Sequence, residues 1–364
     1  MNSTILDHPP QQTRLDDRID LLPAFLVRLS NESLNLKAET RYDPLDRGIP
    51  QNLVETNNDA ELSIPLDILR ADVEPIPIEP ADVLCPVVAV DVSSIRIGET
   101  SDGTLCALRG AVVWRELNNY LYSRCGPLIF HLTDTTISSI FQRLHFPLGL
   151  SGASLPLATR VLGRLRNALE RWIQRSICNL FKDSLILFDG SLTAGTPDNP
   201  ARPITTMLKT ARDNGDSVLA LSKSTKLRLM GNEITRFTDH ISSACLIDVD
   251  SAVRARFPPY PVQLLGRIFV AKLFQKGFSF RLDVDQEIPR ENAIESVRKL
   301  VRSDIVSQGY PETLRLAHIL STFTANEVIG IQRFLQGRYG LRAEASFNLR
   351  RSLFGPYGSS WEAS

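Results

Sequence analysis

Two aspartates each close a run of apolar residues of strand length. Asp91 follows Val87-Val88-Ala89-Val90, and Asp189 follows Leu185-Ile186-Leu187-Phe188. Ser93-Ser94 and Gly190-Ser191 then let the chain turn close to a ligand. A carboxylate at a strand end lies on the edge of an α/β sheet where ligands collect, and two of them make a hard oxygen site suited to Mg2+ or Mn2+. Phosphodiester cleavage is the chemistry such a site serves. It needs a water activated near neutral pH and a leaving oxygen whose charge is neutralised, and two metals roughly 3.5–4 Å apart do both. Taken singly, Asp189-Gly190 is also an ordinary turn and Asp91 an ordinary strand cap; the pattern alone leaves both open.

A third acid, Glu170, sits beside Leu169 at the edge of the apolar stripe of a long helix, where it can reach over the sheet or pair with Arg166 one turn earlier. Lys223, in Leu221-Ser222-Lys223-Ser224, follows another apolar strand and can hold a phosphate or simply be solvated. Lys209, Arg212, Lys226 and Arg228 lie nearby in sequence and are candidates for a local basic rim against a nucleic-acid backbone. Tyr310 and His318 flank a helix that starts at Pro311 and can share its face. A histidine among apolar helix residues is equally a core residue, so its role is open on spacing alone.

These residues must be positioned by a sheet. Val87–Val92, a hairpin at Ser101-Asp102-Gly103-Thr104 and a possible strand over 127–132 give an antiparallel group. A long amphipathic helix over 155–181 follows, with Leu162, Leu165, Leu169 and Ile173 inward. Strand 185–188, helix 203–213 and strand 218–221 then alternate, a strand pair turns at Lys276-Gly277, and helices near 290–306, 311–322 and 325–337 close the chain. This is a mixed α/β sheet without internal repeats.

Composition limits the alternatives. Over 364 residues, 41 acidic and 41 basic side chains cancel, so no global basic field exists and any polyanion site must be local. Five dispersed cysteines, none in a CxxC spacing, argue against a disulfide framework or zinc knuckle and fit reduced thiols in a cytoplasmic protein. No signal peptide or membrane span is expected. Residues 1–80 read as a polar arm with a short helix near 21–29 and a Pro-rich linker, 81–345 as the main domain and 346–364 as a tail. GxGxxG, P-loop, GxSxG and HExxH motifs do not occur at the sites in question.

Taken together, the strand ending in Asp91, Arg166-x-x-x-Glu170, Leu187-Phe188-Asp189-Gly190-Ser191-Leu192, Ser222-Lys223-Ser224 and Tyr310-Pro311 followed by Ala317-His318 resemble, in order and spacing, the NurA nuclease family over roughly residues 85–340. The resemblance implies a ribonuclease-H-like mixed sheet with flanking helices and Mn2+- or Mg2+-dependent cleavage of DNA by two ions. It further implies single-strand endonuclease and 5'-3' exonuclease activity, a homodimer, and work with a HerA-type hexameric translocase in DNA end resection and double-strand break repair. Carried over by position, Asp91, Glu170, Asp189 and His318 hold metal, and Tyr310 and Lys223 complete the catalytic set. The chain departs from the family pattern at Val92, where glycine is frequent; a β-branched residue restricts the backbone there. Two other readings stay open: a non-catalytic adaptor of the translocase, and a ribonuclease-H-like nuclease acting on RNA or on junctions.

Overall fold

The computed structural model describes residues 21–34, 36, 40–44, 66–68, 74–144, 157–196, 199–229, 231–256 and 262–343. Three long strands, β1 (Val87–Thr100), β2 (Gly103–Glu116) and β3 (Asn119–Thr133), form an antiparallel meander. Leu185–Asp189 (β4) lies parallel to β1 on its other edge, and Ser217–Ser222 (β5) lies parallel to β4. Parallel neighbours need crossovers, and the helices Leu157–Leu180 and Ala201–Asp213 supply them. Cys245–Asp248 (β6), Gly266–Lys272 (β7) and Phe280–Asp285 (β8) extend the sheet antiparallel, β8 against β5, β7 against β8 and β6 against β7. The result is the expected mixed α/β sheet with flanking helices.

Alternation along the strands sends the apolar side chains to two cores. Val88, Val90, Val92, Ile186, Phe188, Val218 and Ala220 face one way and pack with Leu162, Leu165, Leu169 and Ile173 of the long helix. Val87, Ala89, Leu187, Leu219 and Leu221 face the other way, against Val297 and Leu300 of the helix Arg290–Ser303 and Leu314 and Ala317 of the helix Glu312–Ser321. Both layers exclude water, which is the main source of the sheet's stability.

Two sequence expectations need correction. β1 does not end at Asp91 but runs on to Thr100, because Ser93, Arg96 and the apolar Ile95 and Ile97 continue a two-faced strand. Val92 sits in this extended segment, 2% exposed, where a β-branched side chain is well accommodated. Second, the Pro-rich run is no plain linker: Ile76–Pro77 pairs with Cys245 and Leu246. In the N-terminal arm, the helix Ala24–Ser33 buries Leu26 and Leu29 in the first core, and Ser30 Oγ donates to the Ile129 carbonyl at 2.6 Å. Residues 1–20 and the tail 346–364 lie outside the described residues. All five cysteines are free, four of them buried.

One feature of the topology creates the site. Pairing of β1 with β4 stops at Val90–Phe188, whereas the short strand Arg41–Pro44 takes up the same edge only from Gly98 onward. Between them, among the described residues, this edge of β1 has no strand partner, and the sheet forks at Asp91.

Candidate metal centre

β4 ends at the fork because Gly190 adopts φ 108°, a left-handed conformation that glycine enters at little cost; its N–H is retained by the Leu221 carbonyl at 2.9 Å. Asp189 is thereby fixed at the strand end, and alternation turns both Asp91 and Asp189 toward the helix Glu312–Ser321. On that helix His318 and Ser321 are three residues apart and so share a face. Both reach Asp91. His318 Nδ1 is 3.2 Å from Asp91 Oδ2, Ser321 Oγ donates to the same oxygen, and Ser93 Oγ lies 2.9 Å from Ser321 Oγ. One ligand atom each from Asp91, Asp189 and His318 lie within 4.8 Å of one another. Two carboxylates and an imidazole at that spacing match the donor set of a small divalent cation such as Mn2+ or Mg2+.

Charges around the fork are unequal. Burial pushes the Asp91 carboxyl up, but the hydrogen bonds from His318 and Ser321, with the charges of His318 and Arg166, outweigh it and hold the group below the ordinary aspartate value. Glu170 goes the other way. Burial raises it, Arg166 and Arg171 pull it down, and the nearby charges of Asp91 and Asp189 push it up again, leaving it above the ordinary glutamate value. It stands outside the 4.8 Å group, on the long helix, where Gln174 Nε2 donates to its Oε1 at 3.1 Å and Arg171 in turn donates to Gln174 at 2.7 Å. Glu170 thus feels the charge of both aspartates without sharing their position.

Lys223 Nζ donates to Asp189 Oδ2 at 2.9 Å and lies 5.7 Å from the centroid of the Tyr310 ring, which itself stands 5.3 Å from the Phe280 ring. Lys223 and Tyr310 therefore adjoin the close group of Asp91, Asp189 and His318, and Glu170 lies near enough to feel both aspartates. The basic rim is smaller than the sequence suggested. Arg212 forms an ion pair with the buried Asp285, while Lys209, Lys226 and Arg228 remain exposed.

Sequence reading missed Ser321 and Asp283, and took Ser93 only as a turn residue. Ser321 is one helical turn after His318, a spacing that carries information only once His318 is known to face the site. Asp283, in Arg281-Leu282-Asp283-Val284-Asp285, alternates polar with apolar like a half-solvated strand, yet Arg281, Asp283 and Asp285 are each 1% exposed. Asp283 accepts the Leu192 N–H and so holds the segment that follows Asp189.

No family model and no curated protein matches the sequence. Solved structures do match. The NurA nuclease from Sulfolobus solfataricus aligns with a TM-score of 0.50 at 16% identity, over 72% of this chain and 88% of that one. A second NurA structure gives 0.38 at 11% identity, covering 73% and 91%, and the Bacillus subtilis endonuclease V gives 0.31 at 12%, covering 73% and 88%. At 16% identity the first of these shows a shared fold, a NurA-like mixed sheet flanked by helices.

Proposed function

We propose that this chain is a metal-dependent deoxyribonuclease. The observation that carries the reading is the convergence of Asp91, Asp189 and His318 within 4.8 Å at the fork of a NurA-like sheet. Asp91, Asp189 and His318 would hold Mn2+ or Mg2+, with Glu170 a further ligand for a second ion. The bound metal supplies Lewis acidity toward a phosphodiester. Ser321 and His318 orient the Asp91 carboxylate. From its place as that further ligand, Glu170 would also orient the attacking water. Lys223, held between Asp189 and the Tyr310 ring, moves a short distance to meet a non-bridging phosphate oxygen.

In this reading residues 81–345 form the nuclease domain, the arm 1–80 supports it, and the chain acts as a cytoplasmic homodimer. It acts on DNA ends with a HerA-type hexameric translocase during end resection, as a single-strand endonuclease and 5'-3' exonuclease. Among the described residues no helix is long and apolar enough to cross a membrane. The test is digestion of end-labelled single-stranded DNA, duplex DNA and RNA by the wild type and by Asp189→Ala, with Mn2+ and with EDTA. Cleavage of DNA that needs both metal and Asp189 is the expected result. A folded wild type that cleaves nothing, alone or with the translocase, overturns the reading in favour of an adaptor; preference for RNA moves the substrate.

A further inference from the structure

We infer that Phe278 and Phe274 form a base-stacking ledge for an unpaired polynucleotide strand entering the metal centre; the inference rests on the nuclease reading above. The turn joining β7 to β8 carries both rings. Phe278 is 67% and Phe274 52% exposed, the first and third most solvent-accessible phenylalanines among those described. Between them Lys276 stands exposed with φ 61°, and the Gly277 N–H returns to the Phe274 carbonyl at 3.0 Å.

The ledge is rigid. The Phe278 N–H donates to the Gln308 carbonyl at 2.9 Å. The two turns approach so closely that a Cβ on Gly277 would lie 2.8 Å from the Gly309 nitrogen, and one on Gly309 would lie 2.4 Å from the Phe278 carbonyl oxygen. Glycine at both positions allows this contact.

It also adjoins the segment that leads to the site. Tyr310 follows Gly309 directly, its ring stands against Phe280, and Lys223 bridges that ring to Asp189. The turn that carries Phe278 is thus held against the segment that carries Tyr310, with Lys276 exposed on the turn and Lys223 at the site. Exposed rings stack on the flat face of a base, and a base offers that face only when its strand is unpaired. Flanking ammonium groups suit the phosphates of the same strand. An apolar partner protein would use the rings but has no call on the cations or on the neighbouring metal centre.

The experiment measures binding by the full-length chain in EDTA, using fluorescently labelled oligothymidylate, oligouridylate and an abasic strand of equal length. Phe278→Ala is expected to weaken binding of a base-bearing strand by about tenfold while leaving the abasic strand unchanged, and Phe278→Trp is expected to restore it. An effect on either polymer supports the ledge. Equal affinity of wild type and Phe278→Ala for both base-bearing strands overturns it, as does equal weakening on the abasic strand. If the wild type cleaves DNA but Phe278→Ala binds normally, the ledge alone falls; if the wild type neither binds nor cleaves, the nuclease reading falls with it.

Discussion

The Asp283 carboxylate accepts the backbone N–H of Leu192 at 3.0 Å, from a neighbouring region of the sheet, and so ties down the segment that leaves Asp189. Leu192 is held from its other side too, its carbonyl accepting the Leu265 N–H at 2.8 Å. Asp283 is itself fixed by a bidentate bond from Arg281, 2.8 Å at each contact, with both side chains buried. The segment that follows Asp189 is therefore positioned by a residue outside the Asp91–Asp189–His318 group.

Asp283→Ala should cost about 3–5 kcal/mol, because it leaves the Arg281 guanidinium buried without its carboxylate. Replacing the pair together, Arg281→Met with Asp283→Leu, should recover most of that stability and still leave the Leu192 N–H without its carboxylate acceptor. Thermal melts and cleavage rates on the two variants separate the effects. A double variant that melts like the wild type yet cleaves about tenfold more slowly supports positioning, whereas wild-type cleavage by the double variant removes the tether from the mechanism.

Metal should stabilise the fold through the fork. Asp91, Asp189 and Glu170 lie close enough for the aspartates to raise the glutamate's proton affinity, a mutual repulsion that a cation relieves. Saturating Mn2+, at about a hundred times the dissociation constant, should add about 2.7 kcal/mol to the wild type. Asp189→Asn should show little of this gain while melting close to the wild type in EDTA, since the Lys223 pair that it loses is partly exposed and contributes little. Equal stabilisation of both proteins by Mn2+ would place the ion elsewhere.

Much of the architecture was legible because apolar periodicity changes along the chain. Strands such as Leu185–Asp189, buried on both faces, read as continuous apolar runs, and helices such as Leu157–Leu180 show a clear 3.6-residue stripe. The two aspartates were found for the same reason, as charges terminating apolar runs. What stayed hidden depends on contacts distant in sequence. The extension of β1 past Asp91 is set by pairing with β2 and with Arg41–Pro44. Ser321 gains meaning only from the seat of its helix over Asp91. Asp283 looked solvated because its burial is made possible by Arg281, a partner that no local pattern marks as buried.

Glu327 anchors the chain just beyond the His318 helix. Burial raises its proton affinity, but the hydrogen bonds from Arg109, from the Thr324 N–H and from Arg124 prevail, and its pKa falls to about 2. Arg109 also donates to the Thr322 carbonyl at 3.3 Å and lies 4.3 Å from the Phe323 ring centroid. The folded value is below the ordinary 4.5, so the stabilisation is present above that pH and disappears as pH falls toward 2. Glu327→Gln should therefore lower stability at pH 7 by about 1–2 kcal/mol, and the gap from the wild type should close in acid. Denaturant midpoints at neutral pH and near pH 3 check this; a gap independent of pH would mean that packing, not charge, holds the segment.

Asp216 gives the opposite sign. Its Oδ1 accepts the Ser184 N–H at 2.9 Å, while its Oδ2 is buried with no hydrogen-bond partner. Burial, aided by the charge of Asp183 and opposed by the Ser184 bond, pushes its pKa up to about 6. Because the folded protein holds this proton more tightly than the unfolded chain, whose value is near 3.8, stability is greatest below that pH and declines as pH rises through about 6. Asp216→Asn keeps an acceptor for Ser184 and removes the buried charge. The variant should match the wild type near pH 4 and exceed it by about 1–2 kcal/mol at pH 7.5, read from unfolding midpoints across that range. A variant less stable than the wild type at pH 7.5 would show that the Asp216 carboxylate is satisfied in solution by a partner that an amide cannot replace.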